Sequence, residues 1–152
     1  MGLDMYLKAE KYISGYSEPG KKTYGKIVRA AGFKLSEMDK YTPSLTVQFT
    51  IMYWRKANQI HSWFVQNVQN GVDECQLSLV SRQQLTALRD LCVEAIKTKN
   101  SSLLEPRSGF FFGSTDIDEY YWADLKNTAT KLTRILDNKK FEGCDFYYRS
   151  SW

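Results

Sequence analysis

The stretch Ser108-Gly-Phe-Phe-Phe-Gly-Ser-Thr-Asp-Ile-Asp-Glu-Tyr-Tyr-Trp-Ala-Asp-Leu125 places an apolar run directly before a helix start. Ser114 and Thr115 are N-cap residue types, because a side-chain oxygen can accept a bond from an unpaired backbone N–H. Apolar residues then recur at steps of three and four to about Asn138 and predict one amphipathic helix. The run Phe110 to Phe112 predicts a short buried strand between two conformationally free glycines.

Two interpretations of this junction stay open. In the first, the phenylalanines are core residues and the acids that follow are helix caps. In the second, the backbone N–H groups of Gly113, Ser114 and Thr115 meet a ligand, since helix N-termini bind anions. Three acids follow within five residues, Asp116, Asp118 and Glu119. They repel phosphate, so a hydroxyl, an amine, a cation or a basic protein surface fits this junction better.

Size and composition predict one domain over residues 1–152, large enough to bury a core. The content of 43% apolar and 25% charged residues is typical of a folded globular protein and not of a disordered one. Aromatic residues make up 14%, and their excess favours a binding role. Three scattered cysteines argue against a disulfide framework and a zinc site, and we expect no metal and no cofactor. No apolar run approaches the length of a membrane span.

Sequence patterns typical of strands and helices occur along the whole chain. Leu3, Met5 and Leu7 alternate with polar residues and predict an N-terminal strand, with Asp4 on its other face. Ser81 with Gln84 forms a capping box that starts a helix. Further strands are predicted at Leu45 to Trp54 (or the approach to a helix), at Glu74 to Val80 and at Cys144 to Trp152, the last paired with the first. We therefore predict an α+β fold, a mainly antiparallel sheet with about three helices packed on one face.

Residues 14–42 differ in character, because glycines, prolines and basic residues predict a long loop or flap. Tyrosines are interleaved with the basic residues, an arrangement that can stack bases and neutralise phosphate. The alternative is a solvated, mobile excursion without a ligand. The candidate nucleic-acid or anion contacts in this loop are Lys21, Lys22, Lys26 and Arg29.

His61 is the only histidine, and it falls on or beside the apolar face of a helix that follows Trp54. Such a histidine is either a hydrogen-bonded structural residue or a general base or ligand contact, since imidazole titrates near neutral pH. If a pocket exists, we expect it where this helix meets the stretch from Ser108 to Leu125. The candidate lining residues are Asp4, Arg55, His61, Ser114, Thr115, Tyr120 and Tyr121.

Four segments together resemble a family of small uncharacterised proteins encoded by tailed bacteriophages. They are Met1-Gly-Leu-Asp-Met-Tyr-Leu7, Tyr53-Trp-Arg-Lys-Ala-Asn-Gln-Ile-His61, Ser108 to Leu125, and Phe146-Tyr-Tyr-Arg-Ser-Ser-Trp152. The resemblance covers most of the chain except the region from about Ser14 to Tyr41. It implies a phage accessory protein in the cytoplasm of a bacterial host, and it supplies no catalytic residues.

The favoured hypothesis is a non-enzymatic binding protein that inhibits or sequesters a host defence or regulatory component, either a protein or a small nucleotide-like ligand. One alternative is a metal-assisted hydrolase or nuclease, in which His61 acts with Asp4, Asp116, Asp118 or Glu119. Another is nucleic-acid binding through the region from Lys21 to Lys40, with an affinity that falls steeply with salt.

Overall fold

The sheet has one strand from each end of the chain at its centre. The computed structural model describes residues 2–152, so Met1 of the first quoted segment lies outside the described residues. Four antiparallel strands form one open sheet in the order β2-β1-β4-β3, and four α-helices accompany it. The strands are β1 (Asp4–Ser14), β2 (Ser44–Arg55), β3 (Ser78–Val80) and β4 (Asp145–Ser151). The helices are α1 (Gly20–Ala30), α2 (Asn58–Asn67), α3 (Arg82–Thr98) and α4 (Glu119–Asp137).

The predicted α+β class and the pairing of the last strand with the first are confirmed, since β4 lies beside β1. Residues 2–152 contain four α-helices where about three were expected. The strand predicted from Glu74 is shorter than expected and covers only Ser78–Val80.

The chain divides into two compact units, one with residues up to Ala9 and from Thr50 to Trp152, the other with Glu10–Phe49.

The first unit contains the main core. The inward residues Leu3, Met5 and Leu7 of β1 are fully buried, as their alternation predicted. From β4, Tyr148 stacks on Phe64 of α2 with ring centroids 3.9 Å apart. Helices α3 and α4 pack against each other and complete this core. The predicted capping box of α3 is confirmed, because the Ser81 and Gln84 side chains each accept a hydrogen bond from the other residue's backbone N–H.

The other face of the sheet in this unit is not part of the core. Antiparallel sheets commonly leave one face in water. Tyr6 and Lys8 of β1 and Arg149 of β4 alternate with buried residues and point to this side. Thr50 and Tyr53 of β2 are three positions apart, so a regular strand would place them on opposite faces. Both nevertheless lie on this outer face. One extra residue is therefore accommodated between them, as in a β-bulge.

The second unit corrects the loop prediction for residues 14–42. Gly20–Ala30 forms α1, and Leu35–Glu37 forms one 3₁₀ turn. Tyr24 and Val28 stand four residues apart on one helix face and are buried, so apolar spacing prevails over the glycines in this segment. Irregular backbone remains around Gly15, whose N–H donates to the Pro43 carbonyl at 2.6 Å.

Candidate functional site

Asn58, at the start of α2, organises the candidate site. Its side chain is 1% exposed. Nδ2 donates to the Phe112 carbonyl at 3.1 Å and to the Ser114 carbonyl at 2.8 Å. Oδ1 accepts the Arg107 backbone N–H at 3.1 Å. One amide thus fixes both ends of the segment 107–114 onto the helix that carries the histidine.

This segment is a turn and not the buried strand that was predicted. The Phe112 N–H donates to the Gly109 carbonyl at 3.1 Å, and the Leu3 N–H donates to the Phe111 carbonyl at 2.9 Å. Phe112 is buried and packs edge-on against the His61 ring at 5.0 Å. Phe110 is 96% exposed. Three adjacent residues in a tight turn cannot all face the core, and we call the segment Ser108–Gly113 the Phe110 turn.

The helix cap also differs from the prediction. α4 begins at Glu119, and its cap is Asp118, whose Oδ1 accepts the Tyr121 N–H at 3.0 Å. Ser114 forms a local turn with Asp116 through two hydrogen bonds of 2.7 and 3.0 Å. Ser114 and Thr115 therefore precede the helix without capping it. The helix start on which the anion-site interpretation of Gly113, Ser114 and Thr115 depended lies farther along the chain, at Glu119, and ligand binding by these residues stays a prediction.

His61 is fully buried between two hydrogen-bond partners. Nδ1 lies 2.7 Å from the Tyr148 hydroxyl, and Nε2 lies 3.0 Å from Asp73 Oδ2. Burial lowers the pKa of His61, although the Asp73 charge opposes this shift. Burial also raises the pKa of Tyr148 well above its ordinary value. A neutral imidazole with its proton on Nε2 satisfies every partner, because Tyr148 donates to Nδ1 and Nε2–H donates to Asp73.

Asp73 connects this buried histidine to a surface cleft. Its Oδ1 accepts the Trp152 indole N–H at 3.2 Å, and its Oδ2 lies 3.9 Å from Arg107 Nη1. The cleft has a volume of about 370 Å³ and is bounded by Asp73, Arg107, the Phe110 turn and Trp152. Its lining combines the aromatic rings of the Phe110 turn and Trp152 with one acid and one base that balance each other.

The remaining candidate residues do not join this cleft. Asp4 accepts a hydrogen bond from the Tyr53 hydroxyl and lies 3.5 Å from Arg55 Nη1. The Tyr121 hydroxyl donates to the Leu104 carbonyl at 2.8 Å in the core. Tyr120 and Thr115 are exposed. The seven candidates therefore separate into a β1–β2 pair, one buried histidine, the local turn at Ser114, and three residues just before or within the first turn of α4.

The basic candidates of the second unit lie on α1. Lys22, Lys26 and Arg29 recur at steps of four and three along its exposed face, with Lys21 beside them. Tyr24 is buried on the opposite face and is not available to stack a base beside them. Nucleic-acid binding by these four cations stays a prediction.

The acids named for metal-assisted hydrolysis do not converge with the histidine. Asp73 binds His61, Asp4 binds Tyr53, and Asp118 caps α4. Among residues 2–152, no group of three or more histidine, cysteine or acidic side chains is placed to hold a metal ion. The hydrolase alternative therefore gains no support from these residues.

Sequence reasoning missed Asn58 and Asp73, the two residues that build the site. Asn58 was not among the candidates, because sequence spacing cannot show a partner that is about fifty residues away. A signal was present nonetheless, since asparagine is a favoured residue at helix starts and Asp73 lies in the loop that follows the turn at Asn70-Gly71.

Comparisons with known proteins add no relative: no family model matches the chain, and neither a curated protein nor a solved structure matches it. Within residues 2–152, every helix is too short or too polar to cross a membrane.

Proposed function

We propose that this chain is a non-enzymatic binding protein that engages a protein partner through the Phe110 turn. In keeping with its resemblance to phage proteins, we propose that the partner is a host defence or regulatory component in the bacterial cytoplasm. The observation that carries the proposal is the 96% exposure of Phe110 on a turn that five hydrogen bonds and a buried ring hold in place.

A single exposed apolar residue is ordinary on a protein surface. The Phe110 turn differs because its shape is fixed and its neighbours are aromatic. Phe111 packs edge-on against Phe110 at 4.9 Å, and Trp152, which is 42% exposed, stands 6.2 Å from Phe112. Rigid aromatic anchors beside a cleft are the features on which protein interfaces concentrate their binding energy. Since the turn is already ordered, binding costs little conformational entropy.

A protein partner is favoured over a nucleotide-like ligand by the charge of the cleft. Arg107 is the base in the lining of the cleft, and Asp73 Oδ2 lies 3.9 Å from its guanidinium. A phosphate at this position would meet the Asp73 carboxylate as well as the arginine. An apolar side chain of a partner fits the aromatic part of the lining without that conflict.

The test is capture of host proteins from a bacterial lysate by the immobilised full chain and by Phe110→Ser. We expect a partner that the wild-type chain retains and that F110S loses. The matched control is Phe33→Ser, since Phe33 is also exposed, at 55%, and lies in the other unit. Capture that is equal for wild type and F110S contradicts the proposal. So does thermal stabilisation by a nucleotide that Arg107→Ala abolishes, because the site is then a nucleotide pocket.

A further inference from the structure

The outer face of the sheet in the first unit combines aromatic, basic and hydroxyl side chains on three adjacent strands. These residues are Tyr6 and Lys8 of β1, Thr50 and Tyr53 of β2, and Arg149 and Ser151 of β4. We call this set the outer sheet face. None of these residues belongs to the Phe110 turn, and the proposed function assigns them no role.

A groove of about 360 Å³ crosses this face. It is lined by Tyr6, Lys8, Thr50, Arg149 and Ser151. Its polar side-chain groups are two cations and three hydroxyls, all of which can donate hydrogen bonds, and no carboxylate lines it. Such a lining matches an anion with several acceptor oxygens, and arginine recognises phosphate oxygens with two parallel N–H groups.

Aromatic rings stand directly beside the groove. The Tyr6 and Tyr53 rings are 5.4 Å apart and tilted by 45°, and Tyr53 is 43% exposed. The Tyr53 hydroxyl donates to Asp4, which fixes the direction of the ring. This hydrogen bond raises the pKa of Tyr53, so the phenol stays neutral. Fixed, accessible rings next to cations are the elements that single-stranded nucleic-acid sites combine.

Acidic residues lie near this groove but do not line it. Asp4 lies 3.5 Å from Arg55 Nη1, which compensates its charge. Asp145 begins β4, four residues before Arg149. Glu10, two residues after Lys8, belongs to the second unit and accepts a hydrogen bond from Gln48 there.

We propose that the outer sheet face binds single-stranded nucleic acid, with phosphates against Lys8 and Arg149 and bases stacked on Tyr53 and Tyr6. A polymer is favoured over a free nucleotide because the surface is an open sheet face. Sites for small ligands enclose most of the ligand in a concave pocket. Single-strand sites instead track the backbone along a groove and stack successive bases beside it.

The test is fluorescence anisotropy of the full chain with a labelled oligothymidylate of about 12 nucleotides, a length within the usual range of site sizes. We expect binding at about 50 mM salt that weakens as salt rises. Arg149→Ala should weaken binding and lower the slope of log affinity against log salt by about 1. Lys97→Ala removes the same charge from an exposed position on α3 and should leave both quantities unchanged.

Two tyrosine variants separate stacking from folding. Tyr53→Leu removes the ring and should weaken binding about tenfold or more. Tyr53→Phe keeps the ring, loses the hydroxyl bond to Asp4, and should bind within about threefold of wild type, since stacking supplies the larger energy. Circular dichroism confirms that both variants are folded. Phe110→Ser should bind the oligonucleotide like wild type, so this proposal and the protein-partner proposal fail independently.

The absence of binding at low salt overturns the proposal. So does an R149A variant that behaves like K97A, because the groove then holds no phosphate. Equal affinity for a duplex overturns it as well, since paired bases cannot stack on the tyrosines. A mononucleotide and the unlabelled oligonucleotide are also compared as competitors at the same nucleotide concentration. If both displace the labelled strand equally well, the groove is a small-ligand site instead.

Discussion

The substitution Asn58→Ala tests whether one amide holds the Phe110 turn. It removes three hydrogen bonds and leaves the carbonyls of Phe112 and Ser114 and the Arg107 N–H without their partner. A buried polar group without a partner costs about 1–3 kcal/mol. The Phe112 carbonyl is buried, while water can reach the other two groups in part, so we expect a total loss of about 2–5 kcal/mol. That is a large fraction of the roughly 5–15 kcal/mol by which domains are stable.

The assay is urea unfolding followed by tryptophan fluorescence and circular dichroism. Asn127→Ala is the matched control, because Asn127 is exposed on α4 and its loss should change stability by less than about 0.5 kcal/mol. Hydrogen exchange adds a local readout. The Leu3 amide, bonded to the Phe111 carbonyl, should exchange faster in N58A, whereas the Val68 amide at the other end of α2 should not.

Asn58→Asp sharpens the test because it keeps the acceptor for Arg107 and replaces the NH₂ group by an oxygen. That oxygen faces two carbonyls, so the variant should be less stable than N58A at pH 8. Protonation of the introduced carboxyl restores one donor, and its stability should therefore rise as the pH falls to 5. An N58A variant within about 0.5 kcal/mol of wild type, or an N58D variant as stable as wild type at pH 8, would refute the role of Asn58.

Three further predictions concern the surroundings of this turn. Because burial lowers the pKa of His61 in the folded state, the unfolded chain binds the extra proton first, and stability should fall as the pH drops below about 6.5. Urea unfolding of His61→Gln should show a flatter pH dependence, and an equal slope in both proteins contradicts the assignment. Gly109→Ala places a Cβ 2.6 Å from the Phe112 ring. It should lower stability by about 1–3 kcal/mol and move the His61 ring resonances, whereas unchanged melting and resonances would count against the packing. Tyr121→Phe removes the 2.8 Å bond to the Leu104 carbonyl and should cost about 1 kcal/mol in urea unfolding. Tyr120→Phe, exposed by 72%, is its control, and equal effects of the two changes contradict a buried hydrogen bond.

Local signals in the sequence predicted much of the fold. The alternation of Leu3, Met5 and Leu7 identified β1 and its buried face, because side chains of a strand alternate between its two sides. Ser81 and Gln84 identified the start of α3, because a capping box involves only neighbouring residues. Helix α1 was missed, since its glycines and lysines outweighed the spacing of Tyr24 and Val28.

The candidate site depended on contacts that no local pattern contains. The three phenylalanines gave no indication of which ring is buried, and the structure assigns burial to Phe112 and exposure to Phe110. His61 was placed on or beside the apolar face of its helix, but its partners Asp73 and Tyr148 come from a loop and from the last strand. Asn58 binds residues about fifty positions away. Sequence periodicity describes one element at a time and cannot supply such pairings.

The position of β1 between β2 and β4 has a consequence for synthesis on the ribosome. Residues 15–144 separate β1 from β4, so β1 waits for its second neighbour while that whole stretch is translated. At about 5–20 residues per second, this interval is on the order of ten seconds. Meanwhile one edge of β1 carries unpaired backbone groups beside an apolar row, a combination that promotes pairing with other chains. Nascent chains should therefore depend on a chaperone, or on early coverage of that row by α2 and α3, until β4 emerges.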